Sequence, residues 1–356
     1  MLRVLALTRY GNLGASSRVR MMKYIPELSK FQIDIEVSPL FGNKYLLYLY
    51  NKRKKNWFYV FFAYIHRLIK LCTVGSYDIL WIEKELFPGC PAIFEFLLAK
   101  AGIVYLVDYD DAIFHNYDNS KNFLIKKCLS KKIDQVMFHS SLVICGNQYI
   151  AQRACSAGAK NHHIIPTVVD LNSYPQQCTK EKNDRLRVGW IGTPSTIKYL
   201  EAIIPAIRLA SQKIPLELCI VGASLTVPDI NIVLIPWEEH SEIHSISTFD
   251  IGIMPLQDSL WERGKCGYKL IQYMALSLPV IASPVGVNTQ IVQHNKNGLL
   301  AETIDDWVNA ITFFAENKDI RLTMGRANRL IVEEKYNFTH YAKKIAQLLL
   351  QLRAKA

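Results

Sequence analysis

Three carboxylates, Asp108, Asp110 and Asp111, stand together in the run DYDDAIFH at residues 108–115, directly after an apolar stretch with the character of a buried strand. Ligands settle at the carboxyl ends of strands in a parallel sheet, so side chains there are placed to meet one. Asp108 and Asp110 could hold a divalent cation, because Mg²⁺ binds one or two carboxylates and fills its shell with substrate phosphate and water. Asp110 and Asp111 could instead orient a substrate hydroxyl and draw its proton. A purely local role, capping of the next helix by Asp110 or Asp111, uses the same residue type.

Glycines and cations gather at three further points. Residues 11–20 (GNLGASSRVR) lead from a strand into a helix, with Ser16 or Ser17 as the expected N-cap. Gly14 would let a ligand approach the backbone, and Arg18 and Arg20 lie one turn inside, so the loop suits an anion. Its spacing matches neither G-x-G-x-x-G nor a P-loop, which weakens a nicotinamide or ATPase reading. In residues 192–198 (GTPSTIK), Lys198 falls in the first turn of a helix, against the helix dipole, where an anionic partner would justify it. Residues 261–275 (WERGKCGYKLIQYMA) place Glu262, Lys265, Lys269 and Gln272 around a glycine-bearing helix start, and SPVGVN at 283–288 adds a turn at Gly286, Val287 and Asn288. A basic loop with free amides suits a diphosphate, whereas turn glycines and surface lysines would give the same text with no ligand.

These motifs need strand-to-helix junctions, and the chain supplies them. Short apolar runs at 3–8, 33–37, 79–83, 104–108 and 142–145 alternate with helical patterns, and a second set follows at 187–191, 217–221, 232–236, 251–255, 280–282 and 298–300. Helices are expected around 196–212, 268–277 and 305–317, with a last one at 338–353. Alternation of this kind builds parallel α/β sheets, and 356 residues suffice for about two such domains. The polar, proline-bearing stretch 174–184 (YPQQCTKEKND) reads as the linker. The expected organisation is an N-terminal domain at 1–174, a C-terminal domain at 185–336 and a helix at 337–356 crossing back to the first. Two doubly wound domains would present a ligand cleft between the carboxyl ends of their sheets.

Hydrophobic residues make up 50% of the chain and charged residues 21%, which excludes disordered and collagen-like readings. The net charge of +11 points to a partner carrying negative charge. Between residues 38 and 77 there is no acidic residue, while Lys44, Lys52, Arg53, Lys54, Lys55, Arg67 and Lys70 are interleaved with Tyr45, Tyr48, Tyr50, Trp57, Phe58, Tyr59, Phe61, Phe62 and Tyr64. Aromatics at headgroup depth beside lysines make an interfacial membrane patch, the reading preferred over nucleic acid, since nothing else in the chain suggests base readout. A core helix beside a solvated basic loop would look similar. The eight cysteines stand singly, without metal-ligand spacing, as reduced thiols do. The longest apolar run, 57–65, is far short of the roughly 18 residues of a span, so the expected location is cytoplasmic, peripheral on the inner face of the membrane.

The run from 261 to 288 resembles the donor-site region of the group-1 glycosyltransferases, a retaining family with the GT-B fold of two Rossmann-like domains facing across a cleft. The similarity covers nearly the whole chain, including the amino-terminal glycine loop and residues 188–198. Further stretches extend the similarity: VICGNQYIAQR at 143–153, IIPTVVD at 164–170, FDIGIMPL at 249–256, KLIQYMA at 269–275 ahead of LPVIASPVGVN, and NGLLA at 297–301. Members of surface-polysaccharide pathways are the nearest type. The resemblance implies that Lys198 holds the donor diphosphate and that Thr193 stands where an arginine often assists. In the family's Glu-x7-Glu motif the second glutamate binds the ribose and the first lies near the donor sugar. Here those positions are Gln272 and Gly264, so both glutamates are absent.

Gln272 can still hydrogen-bond a hydroxyl, Glu262 could stand in for the first glutamate, and Lys265 and Lys269 could stabilise the leaving group. The implied activity is transfer of a sugar, with retained configuration, from a nucleotide-diphosphate sugar to a glycan or lipid-linked acceptor in polysaccharide (lipopolysaccharide-type) biosynthesis. Lys198, Lys265, Gly14 and the Gly286 turn would face the departing phosphate. Asp110 or Asp111 would orient the acceptor, with Arg18 and Arg20 beside it. The resemblance implies no metal and no other cofactor, which places the aspartates on the acceptor side. The missing glutamates keep open an alternative, a non-catalytic protein of the same fold that binds a nucleotide sugar or a partner enzyme without turnover.

Overall fold

A computed structural model describes residues 1–52, 56–175 and 184–354, so most of the expected linker lies outside the described residues, as do Arg53, Lys54, Lys55 and Cys178. The side chains of Tyr50 and Lys52 are outside them as well. Packing divides the chain into one unit of Met1–Thr167, Gly264–Cys266 and Thr339–Ala356, and a second of Val168–Arg263 and Gly267–Phe338.

In the first unit the strands are β1 (Leu2–Tyr10), β2 (Ile33–Phe41), β3 (Ile79–Glu83), β4 (Tyr105–Tyr109), β5 (Leu142–Cys145) and β6 (His162–Ile164). They pair in parallel in the order β2-β1-β3-β4-β5-β6. The strands β3, β4 and β5 are buried along their whole length, which is why they read as unbroken apolar runs rather than as alternation. The chain reverses its progress across the sheet between β1 and β3, and that switch point opens a crevice at the carboxyl edge. The helix Trp57–Leu71 is fastened beside it by Arg67, whose buried guanidinium donates to the carbonyls of Thr8 (2.8 Å) and Ser38 (2.9 Å).

The second unit holds β7 (Leu186–Ile191), β8 (Leu216–Val221), β9 (Ile232–Ile235), β10 (Ile251–Met254), β11 (Val280–Ala282) and β12 (Gly298–Leu300). All pairs are parallel, in the order β12-β11-β10-β7-β8-β9, with the switch point between β7 and β10. Alternate residues feed different cores: Val188 and Trp190 pack with Trp307 and Phe314, while Ile191 and Val221 pack with Phe249 and Tyr273. Two strand glycines make room for those rings. A Cβ at Gly189 would lie 1.9 Å from Phe249, and one at Gly252 would lie 2.3 Å from Tyr273. Tyr273 then accepts from the Ile191 amide at 3.0 Å, which fixes the helix Tyr268–Ala275 against the end of β7.

The single helix expected at 196–212 is two, Ile197–Glu201 and Ile204–Lys213, because Pro205 lacks the donor and the space that a continuous helix needs. The edge strand β6 and the helix Lys318–Lys335 were not among the expected elements. No helix among the described residues is long and apolar enough to cross a membrane.

Candidate active site

At the switch point of the first unit, β1, β3 and β4 end in buried charge. Glu83, the last residue of β3, accepts from the Arg9 amide (2.7 Å) and from the Ser17 hydroxyl (2.6 Å), and Ser17 Oγ in turn accepts from the Tyr10 amide (3.1 Å). Ser17 is committed to that junction. Neither it nor Ser16 caps the helix Ala15–Arg20, whose N-cap is Gly14 without a side-chain bond.

Lys84 follows with φ 67°, in the left-handed region that a lysine rarely adopts. Its ammonium is buried, 2.8 Å from Asp110 Oδ1 and 3.7 Å from Asp111 Oδ2. Lys265 Nζ reaches the other Asp111 oxygen at 3.1 Å. Asn147, at the end of β5, holds the Lys265 segment by donating to the carbonyls of Gly264 (2.8 Å) and Lys265 (3.0 Å). Cys266 Sγ contacts the Asp110 carbonyl at 3.0 Å. At Gly264 a Cβ would come within 2.3 Å of Ala112, so this position has no room for a glutamate.

The charges interlock. Burial alone would depress the Lys84 ammonium, but Asp110, Asp111 and Glu83 reverse this and hold it above its ordinary pKa. Burial works against ionised Asp110 as well, and Lys84, with help from Ser16, overcomes it and holds the carboxyl at about 2. Asp108 is pushed up to about 6 by burial, against the pull of Arg20. The result is a pair of neighbouring carboxylates, Asp110 and Asp111, clasped by two lysines, with Asp111 the more exposed member.

Several expectations change here. The Asp-x-Asp pair is split, since Asp108 turns inward to Arg20 Nε at 2.9 Å and the Lys84 ammonium stands where a cation would meet Asp110. Neither Asp110 nor Asp111 caps a helix; Phe114 is the N-cap of His115–Asp118. Arg20 is buried between Asp108 and the Ile165 carbonyl (2.7 Å), beyond reach of an acceptor. Arg18 is also buried and donates to the Asn12 carbonyl at 2.8 Å, bracing the 11–14 loop. The Gly14 amide is used on the Gly11 carbonyl (2.9 Å), and a Cβ there would lie 2.5 Å from Tyr10 Cβ, so this glycine serves packing rather than ligand approach.

In the second unit a different cluster forms at the carboxyl edge beside β7. Thr193 lies in the turn closed by Thr196, whose Oγ1 accepts from the Thr193 amide at 3.1 Å. Lys198 is exposed, with Nζ 4.8 Å from the centre of the Tyr199 ring. Tyr199 Oη and Ser259 Oγ both donate to Glu262. Burial opposes ionised Glu262, but these two donors, with Lys198 nearby, hold it below the usual carboxylate range. On the other side of the turn Lys269 Nζ sits 4.2 Å above the Trp190 ring, and Trp190 underlies Gly192. The structure thus gathers Thr193, Lys198, Lys269 and Glu262 around one turn. Such a turn, flanked by two ammonium groups, can receive a diphosphate.

Gln272 goes elsewhere: its amide, 2% exposed, donates to Glu242 Oε1 at 2.7 Å and reaches Tyr174 Oη at 3.4 Å. Gly286 has φ 55°, and a Cβ there would press on the Arg263 carbonyl at 2.8 Å. Val287 is the N-cap of Asn288–Ile291, and buried Asn288 donates to the Ser283 carbonyl at 3.1 Å. Lys84, Glu83 and Glu242 escaped the sequence reading. The signal available for the first two was the charged run EKE immediately after the apolar strand ILWI.

Residues 185–317 match the family model described as "Glycosyl transferases group 1". That part of the chain is similar to the group-1 glycosyltransferases. Solved glycosyltransferase structures share the GT-B fold of this chain over its length. Sucrose-phosphate synthase from Thermosynechococcus elongatus is 14% identical with a TM-score of 0.72, covering 100% of both chains. HepE of Anabaena in complex with UDP-glucose is 15% identical with a TM-score of 0.66, again over 100% of both chains. A glycosyltransferase from Rickettsia africae is 13% identical with a TM-score of 0.68, covering 99% of this chain and 98% of that one. No curated protein sequence matches the chain.

Proposed function

We propose that this glycosyltransferase moves a sugar, with retained anomeric configuration, from a nucleoside-diphosphate sugar to a glycan acceptor carried on a lipid, in surface-polysaccharide assembly. The observation that carries the donor half is the pair of lysines flanking the Gly192 turn, Lys198 on Tyr199 and Lys269 on Trp190. In the reaction the bond from the anomeric carbon to the diphosphate oxygen breaks, the acceptor oxygen bonds that carbon from the same face, and the hydroxyl proton leaves on the diphosphate. Negative charge then grows on the leaving group, where fixed ammonium groups and turn amides stabilise it. HepE, a neighbour of similar fold, is known with UDP-glucose bound, which supports a nucleotide sugar as donor. On the acceptor side, Asp111, held between Lys84 and Lys265 and a quarter exposed, is a hydrogen-bond acceptor suited to orienting a hydroxyl.

The lipid part of the reading rests on the helix Trp57–Leu71. Trp57 (72% exposed), Phe58 (80%), Phe61 (60%), Phe62 (64%) and Ile69 (63%) form one apolar ridge on its outer side. The basic part of the patch is narrower than the sequence suggests, because Arg67 is buried and Lys70 pairs with Glu36. Phe123 and Leu124, with Lys126 and Lys127 on the same short helix, add a second exposed apolar and basic segment. We assign both to the cytoplasmic face of an anionic membrane, where aromatic rings enter the headgroup layer and lysines meet lipid phosphate. A thermal-shift screen against UDP-, GDP-, ADP- and dTDP-sugars tests the donor reading. One of them should stabilise the wild type and fail to stabilise Lys198→Ala; stabilisation by none would refute it.

A further inference from the structure

Glu242 is a carboxylate that the motifs left unused, and its surroundings are specific. Gln272 donates to one of its oxygens at 2.7 Å and Trp237 Nε1 donates to the other. Both donors are neutral and both are fixed: Gln272 is buried against Tyr174, and Trp237 packs into the core that contains Phe249 and Tyr273. Glu242 itself is only partly buried. An ionised carboxylate offers about four acceptor sites and no donor, so two remain after these bonds.

Its place in the fold gives those sites a purpose. Trp237 follows β9 at the carboxyl edge of the second sheet, next to Gly222, where a Cβ would lie 3.1 Å from Trp237 Cβ and 2.5 Å from the Gly192 carbonyl. The carboxylate therefore belongs to the same edge as the Gly192 turn and its lysines. A negative group there repels phosphate and attracts hydroxyl hydrogens, and one immobilised through both oxygens matches two neighbouring hydroxyls. We infer that Glu242, oriented by Gln272 and Trp237, binds the vicinal 2′- and 3′-hydroxyls of the donor's ribose. The inference rests on the proposed nucleoside-diphosphate donor and deepens it: the anionic end of the donor meets lysines, and its diol meets a carboxylate supplied by the segment after β9.

The test is calorimetric titration of the full chain with UDP, GDP and ADP, each beside its 2′,3′-dideoxy counterpart. Wild type should bind the preferred nucleotide roughly 10- to 100-fold more tightly than its dideoxy form, the range for hydrogen bonds to a charged group. Glu242→Gln and Glu242→Ala, each first shown to melt as wild type does, should bind the two forms alike, at about the wild-type dideoxy affinity. Wild type that binds both forms equally overturns the assignment. So does a variant that keeps the full preference, since another residue then reads the diol. If Lys198→Ala still weakens binding in those cases, the donor reading survives without this one. If none of the three nucleotides binds wild type, the donor reading fails and this inference falls with it.

Discussion

Replacing Lys84 by methionine isolates the buried charge cluster of the first unit. The side chain keeps its length, but Asp110 loses the ammonium 2.8 Å away and Asp111 keeps only Lys265. In the wild type Asp110 has a folded pKa of about 2, below its ordinary 3.8, so the pair contributes stability that is present above pH 3.8 and lost as pH falls through 2. At about 1.4 kcal/mol per pKa unit, that difference is worth about 2 kcal/mol at neutral pH. The variant does worse than lose it, because a buried carboxylate without its partner costs about 3 to 5 kcal/mol. Burial then raises the Asp110 pKa above its ordinary value, and the variant itself loses stability as pH rises through the new value. Urea unfolding at pH 7 and pH 4 should show a gap between wild type and Lys84→Met of about 3 to 5 kcal/mol at pH 7 that narrows by about half or more at pH 4. A gap of the same size at both values would refute the electrostatic account and leave lost packing as the cause.

Two further outcomes follow from other parts of the structure. Phe58→Ser with Phe62→Ser removes two rings from the exposed ridge of Trp57–Leu71, each worth about 1.5 to 3 kcal/mol when fully buried. Cosedimentation with vesicles containing anionic lipid should therefore fall at least about 10-fold, and equal binding by both proteins would remove this helix from the membrane reading. Gly189→Ala places a methyl group 1.9 Å from the Phe249 ring. It should lower the unfolding free energy by about 1 to 3 kcal/mol or more in urea, and an unchanged midpoint would mean that the ring yields freely.

The fold was largely legible because parallel strands buried on both faces announce themselves as short apolar runs. The strands β3 and β5 fall on the expected 79–83 and 142–145. The strand β6 (HHI) is exposed throughout and carries no apolar run, and Pro205 splits a helix that periodicity alone would carry through. The clustering around the Gly192 turn was also legible, since Thr193 and Lys198 adjoin in sequence and Lys269 opens the helix that packs on β7. What could not be read was pairing between distant residues. Arg20 meets Asp108 across 88 positions, and Gln272 meets Glu242 across 30. Polar residues at strand ends look alike in a sequence whether they face solvent or one another. Arg18 and Arg20 therefore read as ligand contacts although burial turns them into braces, and Lys84 read as nothing at all.

The most direct test of the central claim is turnover itself. With the donor that stabilises it, the purified protein should slowly release the free nucleoside diphosphate, followed by phosphorus NMR, faster when lipid-linked glycan is added, and Lys198→Ala should abolish the release. Binding of the nucleotide sugar with no release, even with lipid-linked glycan present, would contradict glycosyl transfer and leave a binding protein on a transferase fold.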